Sequence, residues 1–133
     1  MRAEKKIWMH RAPPLLIIQL KRFHTGSSDT EKNEQLVTFP LDFFNPKQGP
    51  LNEASTDVYE CYAIINHYGS LNGGHYSAFV RVKGEKWYLF DDSFVSAVEN
   101  PAEIVSSAAY LLFYRRKDIA VKLREGIGCD VLF

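Results

Sequence analysis

The sequence predicts an α+β fold, a mainly antiparallel β-sheet with one short helix. Three observations predict it. Short apolar, β-rich runs recur along the chain; clusters of glycine, proline and asparagine separate them as hairpins and loops; and a single stretch carries a helix-opening signal.

Taken in order, residues 15–23 are nearly continuous in apolar side chains up to Gln19. They read as a central strand entered through Pro13-Pro14, which disfavour helix before it. Residues 24–35 are polar and read as a loop. Residues 37–41 predict a short edge strand stopped by Pro40, and residues 45–57, with Pro46, Gly49 and Pro50, a second loop. Residues 58–67 are a second strong strand. Residues 68–74 hold three glycines and an asparagine, and 76–82 with 86–90 make a hairpin. Asn100-Pro101 is an N-cap followed by proline at the first helical position, opening a helix to about Ser106. Residues 109–115 are the last strand. The tail from Lys117 is weakly periodic and broken by Gly126 and Gly128. The expected division is a domain over residues 1–116 and a peripheral tail over 117–133.

At 133 residues the chain fits one domain with a modest core. Sixteen basic and sixteen acidic residues cancel, so neither a general nucleic-acid partner nor a membrane surface is expected. The apolar runs are far shorter than the ~20 residues of a spanning helix, and no signal peptide follows the N-terminus. Cys61 and Cys129 make neither a disulfide framework nor a zinc-ligand spacing. The expectation is an intracellular, reducing compartment, with no metal and no cofactor.

Gly73-Gly74-His75-Tyr76 carries the chemistry, with Phe90-Asp91-Asp92-Ser93 sixteen residues behind the histidine. Side chains alternate faces along a strand, so register decides whether His75 meets an acid. A three-residue turn at Lys83-Gly84-Glu85, with Gly84 left-handed, sets Val82 opposite Lys86, Phe79 opposite Leu89 and Ser77 opposite Asp91. His75 then shares a face with Ser77, Phe79, Trp87, Leu89 and Asp91. Asp91 is its diagonal neighbour at roughly 7–8 Å between Cα atoms. Asp92 points to the other face and is the second choice; a two-residue turn would invert the order. A carboxylate on one ring nitrogen fixes the tautomer and stabilises the imidazolium. A lone His–Asp pair on a strand is more often structural, but bare backbone at Gly73-Gly74 lets another chain approach.

The nucleophile is missing. Cys61 lies between Glu60 and Tyr62 inside a strand and reads as buried filler. Cys129 sits in a tail that nothing ties to the hairpin, and Ser77 lacks a nucleophile elbow.

Several motifs occur in order: Leu20-Lys21-Arg22-Phe23, Asn66-His67-Tyr68-Gly69, Gly73-Gly74-His75-Tyr76, residues 87–95 and residues 109–114. Over about residues 3–116 the chain resembles the C-terminal half of the catalytic domain of ubiquitin-specific proteases, the cysteine-dependent deubiquitinases. The resemblance implies the palm half of a papain-like cysteine protease. It implies that His75 is the catalytic histidine and Asp91 the third triad member, a position where the family often carries Asn. It implies a supporting role for Asp92 at the oxyanion or the triad. Tyr76 then lines the channel for the ubiquitin tail, Gly73 and Gly74 admit it, and the loops 24–34 and 68–74 flank it. The implied partners are ubiquitin, ubiquitinated proteins and the N-terminal half of the catalytic domain. The family's cysteine box and its Cys-x-x-Cys zinc knuckles are not in this sequence, so the expectation is a fragment, inactive alone, of a thiol isopeptidase acting in cytoplasm, nucleus or both. The alternative is a ubiquitin-binding module without catalysis.

Among the other candidates, His67 reads as a strand-end histidine hydrogen-bonded to backbone. Tyr88, Phe90, Tyr110, Phe113 and Tyr114 read as core or supporting aromatics. Lys21-Arg22 and Arg115-Arg116-Lys117 read as solvated charge.

Overall fold

The computed structural model describes residues 2–7, 9, 11–26, 30–46, 57–82 and 85–124. Its strands are β1 (Leu15–Gln19), β2 (Phe23–Thr25), β3 (Thr30–Lys32), β4 (Tyr59–Tyr68), β5 (His75–Arg81), β6 (Trp87–Asp91), β7 (Phe94–Ala97) and β8 (Ala109–Arg116). A single 3₁₀ turn, Pro101–Glu103, precedes β8, and helix α1 (Lys117–Arg124) follows it. Six strands form one sheet in the order β1-β8-β4-β5-β6-β7, every neighbouring pair antiparallel. β2 and β3 pair separately. No helix of the described residues is long and apolar enough to cross a membrane.

The core lies on one face of this sheet. Directly opposed residues share a face, and the register stacks Leu16 and Ile18 of β1 on Tyr114 and Leu112 of β8. These continue to Cys61 and Ile64 of β4, then Phe79 of β5 and Leu89 of β6. Tyr59, Cys61, Ile64, Ile104, Leu112 and Tyr114 are buried, and Phe39, Leu41, Phe44 and Val98 pack against them. The buried tyrosine hydroxyls are met by covering segments: Tyr59 Oη donates to the Pro13 carbonyl at 2.5 Å and Tyr114 Oη to the Pro40 carbonyl at 2.8 Å. That disposes of the one polar atom each brings into the core.

The hairpin that decides the site has the expected register. Phe79 opposes Leu89 and Arg81 opposes Trp87, and the Val82 amide donates to the Lys86 carbonyl at 2.8 Å. Among the described residues of this turn, Glu85 is left-handed, at φ 65°. Lys83 and Gly84, where the left-handed position was expected, lie outside the described residues.

Several expectations are corrected. The strand at 15–23 is not central: among the described residues β1 pairs only with β8, and Leu15 and Ile17 are exposed. A run of apolar residues signals burial on both faces, yet here one face of an edge strand is open. Residues 24–35 carry the β2–β3 hairpin, whereas 37–41 form no strand and instead lie over the core through Phe39 and Leu41. β7, made of Phe94-Val95-Ser96-Ala97, is an exposed strand that no turn signal in the sequence separated from β6. The Asn100 cap is present, its Oδ1 accepting from the Ala102 amide at 3.1 Å, but it opens only a 3₁₀ turn. Residues 117–124 are helical and Ala120 is buried. Phe90, expected as a core or supporting aromatic, is exposed.

The basic residues are also less solvated than their charge suggests. Arg22 is 3% exposed, its Nε donating to the Ala109 carbonyl at 2.6 Å and its Nη1 to the Asn33 and Gln35 carbonyls at 2.9 Å. It ties the β2–β3 hairpin to β8. Arg115 donates to Glu60 at 2.8 Å, Arg116 to Asp118 at 2.7 Å, and Lys117 Nζ sits 3.6 Å from the Phe43 ring centroid.

Candidate active site

His75 opens β5 and Asp91 closes β6, so both stand at one end of the core face. There His75 Nε2 lies 2.5 Å from Asp91 Oδ1. The register explains the contact: Ala78 pairs with Phe90, which makes Asp91 the diagonal neighbour of His75 on their shared face. Their side chains are 49% and 43% exposed, so a second chain can reach the pair. With Asp91 accepting from Nε2–H, His75 Nδ1 is the nitrogen left to accept a proton.

Asp92 does not point away. It is the first residue of the two-residue turn between Asp91 and its partner Phe94. Its φ of 49° breaks the strand alternation that placed it on the far face. Asp tolerates the left-handed region better than most residues. A carboxylate oxygen of Asp92, an oxygen of Asp91 and a ring nitrogen of His75 all lie within 4.8 Å of one another. Three such groups are enough in number to hold a cation, but His75 and Asp91 already hydrogen-bond each other, and the arrangement can orient an imidazole and steady its charge.

Tyr76 projects from the opposite face and is 54% exposed. Gly73 has room, a Cβ there meeting only Ser70 Oγ at 3.6 Å, whereas a Cβ on Gly74 would lie 2.1 Å from His67 Nε2 and 2.7 Å from the Tyr68 carbonyl. Glycine at 74 is therefore demanded by this chain's own packing. His67 is 1% exposed. Its Nδ1 finds no hydrogen-bond partner among the described residues, contrary to the expected backbone contact. Burial, with the Lys32 ammonium adding to it, lowers its pKa. Pairing β4 with β5 sets Tyr68 opposite His75 and His67 opposite Tyr76. The adjacency of the Asn66–Gly69 and Gly73–Tyr76 motifs across this hairpin was the signal that could have found His67.

Neither Cys61 nor Ser77 is placed to act as a nucleophile. Cys61 is fully buried and free, and burial pushes its thiol up to about 12. It lies seven residues along β4 from Tyr68, the partner of His75, or roughly 23 Å at the rise of a strand. Ser77 is buried, its Oγ accepting from Asn66 Nδ2 at 3.5 Å. Cys129 lies outside the described residues.

An antiparallel sheet carrying an exposed histidine–carboxylate pair at one end has the architecture of a papain-like catalytic domain, and solved catalytic domains of that kind share the fold. The family model "Ubiquitin carboxyl-terminal hydrolase" matches residues 3–114, and the chain belongs to that family. It is 42% identical over 124 residues to ubiquitin carboxyl-terminal hydrolase 15 of Homo sapiens, covering 87% of this chain and 12% of that protein. It is 46% identical over 116 residues to putative ubiquitin carboxyl-terminal hydrolase 11 of Arabidopsis thaliana, covering 86% and 13%. Among solved structures, the SAGA DUB module of Ubp8, Sgf11, Sus1 and Sgf73 bound to monoubiquitin superposes with a TM-score of 0.72 at 35% identity, over 80% of this chain and 24% of that one. The chain thus spans about an eighth of the length of the curated relatives it matches.

Proposed function

We propose that this chain supplies the base and its orienting acid to a thiol isopeptidase that cleaves after the C-terminal glycine of ubiquitin. The nucleophilic cysteine comes from outside these 133 residues. Residues 1–116 are then the C-terminal part of the catalytic domain and 117–133 a tail beyond it. The observation that carries the reading is the 2.5 Å contact of His75 Nε2 with Asp91 Oδ1 at an exposed sheet end, in a chain of this family. Cys61 does not compete, because a thiol held at about 12 and a strand's length away is neither ionised nor in reach.

In this reading His75 Nδ1 takes the thiol proton, and the thiolate attacks the glycine carbonyl carbon. The carbon–nitrogen bond breaks as His75 returns the proton to the leaving amine, and water then hydrolyses the thioester. Asp91 holds the ring and steadies the imidazolium, and Asp92 stands by the same charge. Gly73 and Tyr76 border the approach of the ubiquitin tail, with Gly74 giving the turn its close packing. The partners are ubiquitin, ubiquitinated proteins and the N-terminal half of the catalytic domain. The free, buried Cys61 fits a reducing, intracellular setting in cytoplasm or nucleus.

The test is hydrolysis of a ubiquitin C-terminal fluorogenic amide by the full-length protein. His75→Ala should remove turnover by at least a hundredfold with the fold intact. Asp91→Asn should keep most of it, because the amide oxygen still accepts from Nε2–H. The 133-residue chain alone should show none. Full activity in His75→Ala rejects the assignment.

A further inference from the structure

His67 is left over by the chemistry above, yet it packs against the residues on both sides of the base. Its ring packs edge-on against Tyr76, centroids 4.8 Å apart at 65°. Its Nε2 and Cε1 occupy the space a Cβ of Gly74 would need, at 2.1 and 2.6 Å. Residues 74 and 76 flank His75, so one imidazole abuts both neighbours of the base. The ring is itself held on its other sides. Phe23 stands edge-on to it at 5.2 Å and Tyr110 tilted at 6.0 Å. The backbone of residue 67 is pinned as well: its amide donates to the Ala108 carbonyl at 2.8 Å, and its carbonyl accepts from Lys32 Nζ at 2.9 Å.

We infer that His67 is a positioning residue: a packed aromatic wall that fixes the Gly74–Tyr76 backbone and thereby the direction in which His75 meets Asp91. The role is steric. Nδ1 makes no hydrogen bond among the described residues, so the ring is not kept there by polar pairing. Histidine also suits the site by size, because a longer ring would drive into Gly74 where no Cβ fits. The wall passes through three strands of two sheets: Phe23 from β2, Tyr110 from β8, and His67 from β4 itself. The β2–β3 hairpin, through Phe23 and Lys32, thus bears on the base from a distance. Misplacing a catalytic group by about 1 Å can cost around a hundredfold in rate.

This inference rests on His75 being the base, and the experiment separates the two. In the full-length protein, wild type, His75→Ala, His67→Ala, His67→Gln and Gly74→Ala are compared on the fluorogenic ubiquitin amide, with thermal melts showing which variants are folded at the assay temperature. His67→Ala should lower kcat at least tenfold while KM stays within twofold, and His67→Gln, which fills the space without a ring, should fall between it and wild type. Gly74→Ala should lower kcat too, and by a smaller factor when His67 is already alanine; the Tyr68 carbonyl at 2.7 Å leaves part of that loss in place. An unchanged kcat in folded His67→Ala and His67→Gln overturns the inference, as does a rise in KM alone, which would make the ring a substrate contact. If His67→Ala does not fold, the kcat of His67→Gln decides by the same criteria. Activity surviving in His75→Ala would instead bring down the base assignment itself.

Discussion

Protonating His67 would put a charge into a space walled by Phe23, Tyr76 and Tyr110, with the Lys32 ammonium close by at the carbonyl of the same residue. Burial and that ammonium both hold its pKa below the ordinary 6.5. The sign of the linkage follows. Below about 6.5 the unfolded chain takes up a proton that the folded one refuses, so stability is complete above the unfolded pKa and declines as pH falls through it. The urea midpoint should therefore drop between pH 7.5 and 5.5, and His67→Gln should flatten that part of the curve. A variant with the same acid slope as wild type would show that other groups set it. Two histidines in one hairpin thus have opposite environments. His75 is half exposed with a carboxylate partner, and His67 is buried with its Nδ1 unpaired among the described residues.

At the scale of elements, alternation and turn length were enough to place His75 and Asp91 on one face, since a strand's period of two leaves little freedom once the turn is set. Where the backbone leaves that period, reading by alternation fails. The left-handed φ of Asp92 turns its carboxylate back towards the pair, and the register shifts between Cys61 and Ala63 and between Ile65 and Asn66 displace side chains along β4. The order of strands in the sheet was not legible either, because an apolar run at residues 15–18 records stickiness and not position. Nor was the charge cluster that joins the strands. Arg81 of β5 donates to Asp42, Glu60 and Glu85 at 2.9, 3.4 and 3.2 Å, while Arg115 of β8 reaches Glu60 of β4 at 2.8 Å. Single residues tens of positions apart carry no periodic signal. Glu60 and Arg81 have side chains only 3% and 4% exposed, so removing the central acid takes the buried carboxylate from two guanidiniums and leaves Arg81 with the half-exposed Asp42 and Glu85. Glu60→Ala should cost about 3 kcal/mol, read from urea unfolding, and a loss under about 1 kcal/mol would mean that water or the remaining acids take over its role.

On the scale of the whole molecule, the sheet has two ends and both carry apolar side chains into solvent. β1 exposes Leu15 and Ile17 at 54% and 60%, and β7 exposes Phe94 and Val95 at 78% and 56%. Among the described residues β1 pairs only with β8 and β7 only with β6, so each end offers backbone hydrogen-bonding groups along with its apolar surface. Natural sheets blunt such edges with charge, proline or cover. Here the chain spans 24% of the chain that it matches in the monoubiquitin-bound SAGA DUB module, and among the described residues Leu15, Ile17, Phe94 and Val95 stay exposed. The isolated 133-residue chain should therefore self-associate at roughly 50 μM, a range in which open edges and apolar surface drive aggregation. Sedimentation velocity would show it as a mass rising with concentration. Replacing Ile17 and Val95 by lysine places a charge on each edge and should shift the distribution towards monomer without touching the His75–Asp91 pair. A wild-type chain that stays monomeric at that concentration would mean that its edges are closed by residues outside the described ones, and the case for an uncovered sheet would be lost.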